Sequence, residues 1–477
     1  MNRRSFLIGS ASASAALSSG AFAQATARPL PINPLMDLSE APDTRIPLQL
    51  AASHHDFGTG ALSDTLGINA NYLGPVLRAR QGQTLPFDVQ NNLDEVTTIH
   101  WHGLHIPGDV DGGPHQEIAP GATWSPDVPI AQKASMNWLH SHMHGRTAQQ
   151  TQKGLAGILL VEDDASLSAD LPKTYGVDDF TRVLQDKAFD DAGRMSYTLS
   201  AEVFEDGFQG ETLVVNGALA PVAQTVPNGL VRLRILNACN ARFLTLSMSS
   251  GPLNVIACEG GFLASTVQAE SIFMSPGERY EVLVDMSTFE TNSLMVSYGE
   301  GGGFFARLGG LFGGGPQAAL TLNRTGDAGF TGSMPKRLAT LSPPDRTEAT
   351  VTRSFELQMD VGADLVALAL AWENVCGNAG AMAINSMPLN MDRIDEKARK
   401  GETEIWRVSV DDMLHPFHIH GCSFRILTQN GGEPPAYAAG WKDMVHVEEG
   451  CSEVLVRFDY DAPETAPYMY HCHILEH

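Results

Sequence analysis

The chain is short of basic residues: 31 lysines and arginines stand against 55 aspartates and glutamates, a formal net charge of −24. Nucleic acid and anionic membranes attract positive surfaces, so both are poor partners for this one. Cysteine is scarce, with six in 477 residues, which excludes a small disulfide-stapled scaffold. Beyond the N-terminal leader no apolar run reaches the roughly 18 residues that a membrane span requires. The glycine-rich stretch Gly299–Pro316 lacks a following Lys-Ser or Lys-Thr, so it reads as a flexible loop and not as a phosphate cradle. With 43% apolar and 18% charged residues the chain is able to bury cores, and its length suits roughly three domains.

The leader itself is informative. Arg3 and Arg4 precede Ser5-Phe6-Leu7, a small-residue apolar run follows, and Ala21-Phe22-Ala23 ends it. This is the pattern of a secretory signal cleaved before Gln24. The paired arginines suit the twin-arginine type, which exports folded proteins, with an ordinary secretory signal as the alternative. Residues 1–23 are therefore expected to be removed from a soluble protein exported to a periplasm.

After a proline-rich lead, short β-type runs broken by Gly, Pro and Asn predominate, and few stretches read as helix. Thr84–Gln90, Gly157–Val161, Leu230–Leu236, Tyr280–Val284, Glu404–Val410 and Glu453–Phe458 are expected strands. The turn spacing points to β-sandwiches. A weak repeat supports more than one: Gln81-Gly82, Asn228-Gly229 and Lys400-Gly401 each open a strand, and in the first and third copies histidines follow. Domains are expected at 40–165, 170–330 and 350–477.

Ten of the sixteen histidines fall in four clusters: His100-Trp101-His102, His140-Ser141-His142, His415-Pro416-Phe417-His418-Ile419-His420, and His471-Cys472-His473 with His477. Strand alternation turns the two imidazoles of an H-x-H pair the same way, as a chelating pair. Four such pairs supply eight imidazoles, too many for one ion. The same alternation sends Cys472 to the opposite face, where His415 and His477 complete a His₂Cys set of the blue-copper kind. The chain through Cys472 would then join that site to the imidazole cluster. Zinc is the rival metal, and metal-free histidines are the bland alternative.

These motifs, in this order, resemble the multicopper oxidases over nearly the whole chain beyond the leader. The stretches HWHGLHIPGDVDGGPH (100–115), GLAGILLVEDD (154–164), HPFHIHG (415–421) and AGWKDMV (439–445) are most similar to the periplasmic copper-tolerance branch of cuprous oxidases and laccase-like enzymes. The resemblance implies an all-β chain of three cupredoxin-like Greek-key sandwiches. It implies copper at four ions per chain: a type 1 ion on His415, Cys472 and His477; a type 2 ion on His100 and His418; and a type 3 pair on His102, His140, His142, His420, His471 and His473. The implied reaction couples one-electron oxidation of Cu(I), or of phenolic or aromatic-amine donors, to four-electron reduction of dioxygen to water. Asp111 matches an acidic residue that assists proton supply beside the cluster. Met359, Asp364, Asp411 and Met413 fall where the branch binds substrate Cu(I), with Asp411 also placed to orient His415.

Two departures stand out. The Met- and His-rich insert of the branch is reduced to Met359, Met382, Met387 and Met391, and Leu365–Trp372 reads as a short apolar helix over the type 1 site. The chain stops at His477, ahead of the family's axial position, its closing strand and the carboxylate that commonly follows, so the natural protein is expected to continue. Cys239, Cys258, Cys376, Cys422 and Cys451 are expected as buried free thiols, and the protein as a monomer. Three further functions compete: a general laccase for organic substrates, a shorter copper nitrite reductase, and a non-catalytic exported cell-division protein of the same fold. The complete ligand set opposes the last.

Overall fold

Along Thr84–Asn91 and Ile46–Leu50 every second residue is buried, the signature of a sheet with one face on a core. Ala156–Glu162 and Leu230–Asn237 are instead buried on both faces, and the reason lies in how the sheets stack. The protein was analysed as a computed structural model that describes residues 27–40, 44–298, 315–359, 382–410, 413–448 and 450–477. The expected export signal, most of the glycine-rich loop, the expected helix Leu365–Trp372, Asp364, Asp411 and Cys376 lie outside the described residues.

Three cupredoxin-like β-sandwiches follow one another along the chain. In the first, a five-stranded sheet ending in Ser135–His140 and His100–His102 packs against a second sheet that carries Ile46–His55 and Thr84–Asn91. Leu48, Phe87, Trp101, Leu139 and Leu159 from both sheets share one core. The middle sandwich pairs a six-stranded with an eight-stranded sheet around Val231, Leu246, Val282 and Leu320. The third sets a six-stranded sheet against His415–Ile419, Met444–Val447 and Tyr470–Cys472 around Trp406, Phe417 and Val454.

The outer face of the first sandwich is not solvated. Met136, Trp138, Ile158 and Leu160 pack on Val183, Val214 and Leu236 of the middle sandwich, forming a second core between the two. A strand covered on both faces reads as a continuous apolar run. The repeat in the sequence is also a repeat in space. Gly82, Gly229 and Gly401 all take positive φ (91°, 128° and 79°) just ahead of their strands. The Asn91 and Asn237 side chains each accept the N–H two residues on, of Leu93 (2.9 Å) and Cys239 (3.1 Å). Of the expected thiols, Cys239, Cys258 and Cys422 are buried and free, whereas Cys451 is only half-buried.

Charge is buried at the same junction. Arg234 holds Asp179 through two bonds of 2.8 Å and reaches Glu281 (3.2 Å) and, from the first sandwich, Glu162 (3.3 Å). Removing one partner from a buried ionic set leaves uncompensated charge and costs far more than the set contributes net. Arg234→Met is therefore expected to lower the unfolding free energy by about 3–5 kcal/mol, and Arg234→Lys by less, measured by denaturant unfolding of the metal-free protein.

Candidate metal centre

Register places the candidate ligands. In the first sandwich His140 stands opposite His100, and Trp138 opposite His102. In the third, His418 stands opposite His471 and Phe417 opposite Cys472. A one-residue slip in either pair would turn every imidazole to the other face. Only His100–His102 lies wholly within a strand; His142, His420 and His473 sit just past strand ends. Each H-x-H pair still points one way, with ring centroids 4.9–5.8 Å apart.

The closest approaches run between imidazoles of different pairs. By closest approach, His102 Nδ1 faces His140 Nε2 at 3.4 Å and His473 Nε2 at 3.3 Å. His471 Nε2 faces His142 Nε2 at 3.2 Å and His420 Nε2 at 3.1 Å. His100 and His418 make up a third set, with His420 beside them. The pairs 140/142 and 471/473 divide their imidazoles between different sets, whereas His100 with His102, and His418 with His420, also share a set of neighbouring donor nitrogens. Cys472 separates the two triplets along the chain, with His471 in one and His473 in the other.

The protons can be placed. Burial, reinforced by neighbouring imidazoles, holds His102, His140, His142, His418, His420 and His473 well below the ordinary value of 6.5, so these rings are neutral. Burial also lowers His471, to about 4. A neutral ring donates from one nitrogen and keeps a lone pair on the other. His420 Nδ1 donates to Asp111 Oδ2 (2.8 Å), His471 Nδ1 to the Cys472 carbonyl (2.7 Å) and His140 Nδ1 to the Ser141 carbonyl (2.8 Å). His100 Nδ1 donates to the Asp111 carbonyl (3.0 Å) and His418 Nδ1 to the Asp443 carbonyl (2.7 Å). The inward nitrogens of His140, His420 and His471 therefore carry lone pairs, and His100 Nε2 and His418 Nε2 are buried without a partner. Nitrogens bonded at about 2.0–2.1 Å to one ion at tetrahedral angles lie about 3.3–3.4 Å apart. The donor set fits cations, and it fits more than one.

A separate set is formed by His415, Cys472 and His477. Cys472 Sγ is 3.2 Å from His415 Nδ1 and 3.5 Å from His477 Nδ1. His477 Nε2 donates to the Glu205 carbonyl (3.1 Å), and the Ile474 N–H points at the sulfur from 3.3 Å. Burial pushes the free thiol up to about 12, so only a bound cation would hold it as thiolate at neutral pH. Thiolate, two imidazoles and a backbone N–H on sulfur suit copper better than a closed tetrahedral zinc site.

Of the other expected residues, Asp111 lies beside both His420 and His100 (3.3 Å to its Nδ1), and its Oδ1 is buried with no partner. Met359 ends a strand opposite Met382, and Met413 is half-buried ahead of His415. A cavity of about 1040 Å³ opens beside the thiolate site, lined by His415, Cys472, His477, Met382, Met387 and Met391 among others. Sequence reasoning missed Asp443, Arg279 and Glu476. Asp443 Oδ1 accepts from His102 Nε2 (3.2 Å) and its carboxylate is clamped by Arg279 of the middle sandwich. Glu476 accepts from Asn240 Nδ2 (2.7 Å) and Tyr197 OH (3.1 Å), and burial lifts it to about 7. Asp443 sat inside a quoted motif, but nothing in the motif says which way it points.

Sequence profiles described as multicopper oxidase match residues 50–166, 173–306 and 362–477. A relative from Yersinia pestis named cell division protein FtsP is 36% identical over 100% of this chain and 96% of its own length. One of the same name from Escherichia coli (strain K12) is also 36% identical with the same coverage. Among solved structures, a laccase-like multi-copper oxidase, CueO, from a lignin-degrading Ochrobactrum sp. superposes with a TM-score of 0.84 at 40% identity. The match covers 94% of this chain and 97% of that one. A laccase from Pediococcus acidilactici gives 0.79 at 28% identity, covering 94% and 91%.

The depressed imidazoles carry a pH signature. In the unfolded chain they titrate near 6.5, whereas burial lowers His415 to about 3 and His477 to about 4 in the fold. The unfolded state thus binds more protons below pH 6.5, and stability falls as pH falls. Metal-free protein is expected to lose about 1.4 kcal/mol per pH unit for each such group between roughly pH 6.5 and 4. Melting temperature against pH checks this; a flat profile over that window contradicts it.

Proposed function

The chain belongs to the multicopper oxidase family, and from that premise we propose that it is an active oxidase of Cu(I) and of phenolic or aromatic-amine donors. The observation that carries this reading is the set of buried, neutral imidazoles whose nitrogens face one another at 3.1–3.4 Å. The type 1 ion is assigned to His415, Cys472 and His477, and the type 2 ion to His100 and His418. One type 3 ion is assigned to His102, His140 and His473, the other to His142, His420 and His471. Bound copper would supply one-electron acceptance at the thiolate site and four-electron reduction of dioxygen to water at the cluster.

The protein's own groups do the rest. Donors enter the cavity beside His415, where His415 Nε2 is buried without a partner. Cys472 connects that site to both triplets through its two chain neighbours. Asp111 orients His420 and His100, and its free Oδ1 is a place to hold a proton for a reaction that consumes them. Met359, Asp364, Asp411 and Met413 are proposed to hold substrate Cu(I), since thioethers suit the cuprous ion and carboxylates the cupric one. Export to the periplasm by the twin-arginine route, as a monomer serving copper tolerance, completes the proposal. Among the described residues no helix is long and apolar enough to cross a membrane.

The names of the 36% identical relatives favour a second reading, a part in cell division. Copper separates the two. Metal analysis with electron paramagnetic resonance is expected to find four coppers per chain with blue and type 2 signals; one zinc, or none, ends the oxidase reading. Cys472→Ser is expected to abolish the blue absorption and donor oxidation while leaving copper in the cluster. Replacing Asp411 and Met413 together is expected to cut oxygen uptake with Cu(I) far more than with a bulky phenol. Equal loss on both donors removes the cuprous site.

A further inference from the structure

The middle sandwich carries none of the assigned ligands, yet it reaches the cluster. Three consecutive residues of the third sandwich dock on it. The Trp441 carbonyl accepts from Gly260 N (2.8 Å) and Cys258 Sγ (3.2 Å). Lys442 Nζ is enclosed by Glu259 (2.8 Å), Glu278 and Tyr280 OH (2.9 Å). Asp443 then meets Arg279, which donates from Nη1 to Oδ1 and from Nη2 to Oδ2 at 2.6 Å each. Arg279 is itself fixed by the Met136 carbonyl (3.0 Å) of the first sandwich and the Gly277 carbonyl (3.1 Å). Both members of the pair are no more than 1% exposed.

Asp443 acts on two ligands at once. Its Oδ1 accepts from His102 Nε2 (3.2 Å) and its backbone carbonyl accepts from His418 Nδ1 (2.7 Å). A carboxylate already paired to a guanidinium cannot donate, so the His102 proton resides on Nε2 and the lone pair on Nδ1. That explains why His102 alone of the six triplet imidazoles faces its partners through Nδ1. Gly103 leaves room for the arrangement: it has φ of +90°, and a Cβ there would lie 2.5 Å from Arg279 Nη2 and 2.7 Å from Asp443 Oδ2. Alanine at this position would collide with the pair.

We propose that Arg279 and Asp443 are a positioning pair through which the middle sandwich dictates the donor atom of His102 and the orientation of His418. The pair could instead be a plain structural ion pair, or Asp443 a direct ligand, since it lies near His102 and His418. Its bidentate engagement with Arg279 argues against the ligand role. A plain ion pair would not set the tautomer of a ring.

The proposal rests on the copper reading above, so its test begins without copper. In metal-free protein labelled with nitrogen-15 at histidine, NMR is expected to find His102 protonated at Nε2. In Arg279→Gln and Asp443→Asn a mixture of Nε2-H and Nδ1-H forms is expected. Copper is then titrated against a competing chelator. Loss of a group that orients a ligand typically weakens metal binding about 10–100-fold. That loss is expected at the cluster in both variants, with blue absorption per chain retained. Arg279→Lys, which keeps the charge and the fold, is expected to fall between them and the wild type. A single unchanged His102 tautomer with wild-type cluster affinity in Arg279→Gln or Arg279→Lys overturns the proposal. A wild type that binds no copper overturns the oxidase reading instead, and the tautomer measurement still decides the role of the pair.

Discussion

The site turns on an electrostatic demand: neutral imidazoles buried together, with the inward nitrogens of His140, His420 and His471 held as lone pairs. Left alone this is unfavourable, because a buried acceptor without a donor costs about 1–3 kcal/mol. Other groups prevent the rings from turning to relieve it. The carbonyls of Ser141, Cys472, Asp111 and Asp443 and the Asp111 carboxylate each take the proton from the far nitrogen. Each bond fixes a ring plane and a tautomer together. The orientation of these rings is therefore set by the fold itself, as on a rigid site at strand ends.

The first and third sandwiches each supply half of the imidazole pairs, so the site exists only while they are held face to face. The middle sandwich does that holding. Its apolar side meets the first through Val183, Val214 and Leu236, and its acidic pocket of Glu259 and Glu278 receives Lys442 of the third. Burying charge is costly, and such sets are weak evidence for stability. Here they have a directional consequence. An ammonium or guanidinium seated among fixed carboxylates tolerates little sliding, whereas an apolar contact alone would tolerate more. A sandwich with no candidate ligands thus keeps the opposing imidazole pairs in register.

Most of the site was legible in the sequence because its signal is local. H-x-H spacing and His-Cys-His adjacency survive folding unchanged, and Gly82, Gly229 and Gly401 mark strand starts by a backbone requirement that few other residues meet. What was not legible depends on long-range pairing. Chelation by each pair is the natural reading of alternation, but three of the four pairs straddle a strand end, and opposing strands bring rings of different pairs closest together. Asp443 and Arg279 are 164 residues apart, so no window along the chain could reveal that one clamps the other. The double-sided burial of Ala156–Glu162 was visible as an apolar run, while its cause, a neighbouring sandwich, was not.

Fold and function separate in this family, as they do in others that reuse one scaffold. Relatives with cell-division names and a neighbour titled as a laccase-like oxidase match this chain at comparable identity, 36% and 40%. Resemblance therefore does not choose between them, and the site must. A chain kept only as a scaffold has no use for lone pairs held apart from donors in its interior. Each would be relieved by a polar or apolar substitution that packs as well, and relief is worth about 1 kcal/mol or more per group. Here the unrelieved nitrogens include His100 Nε2, His415 Nε2 and His418 Nε2, alongside a thiol that burial keeps protonated in the absence of a cation. Partnerless buried polar atoms also occur elsewhere, among them those of Arg182 and Gln185, but among the described residues it is here that several imidazole nitrogens meet beside a thiol, the donor set that suits a soft or borderline cation.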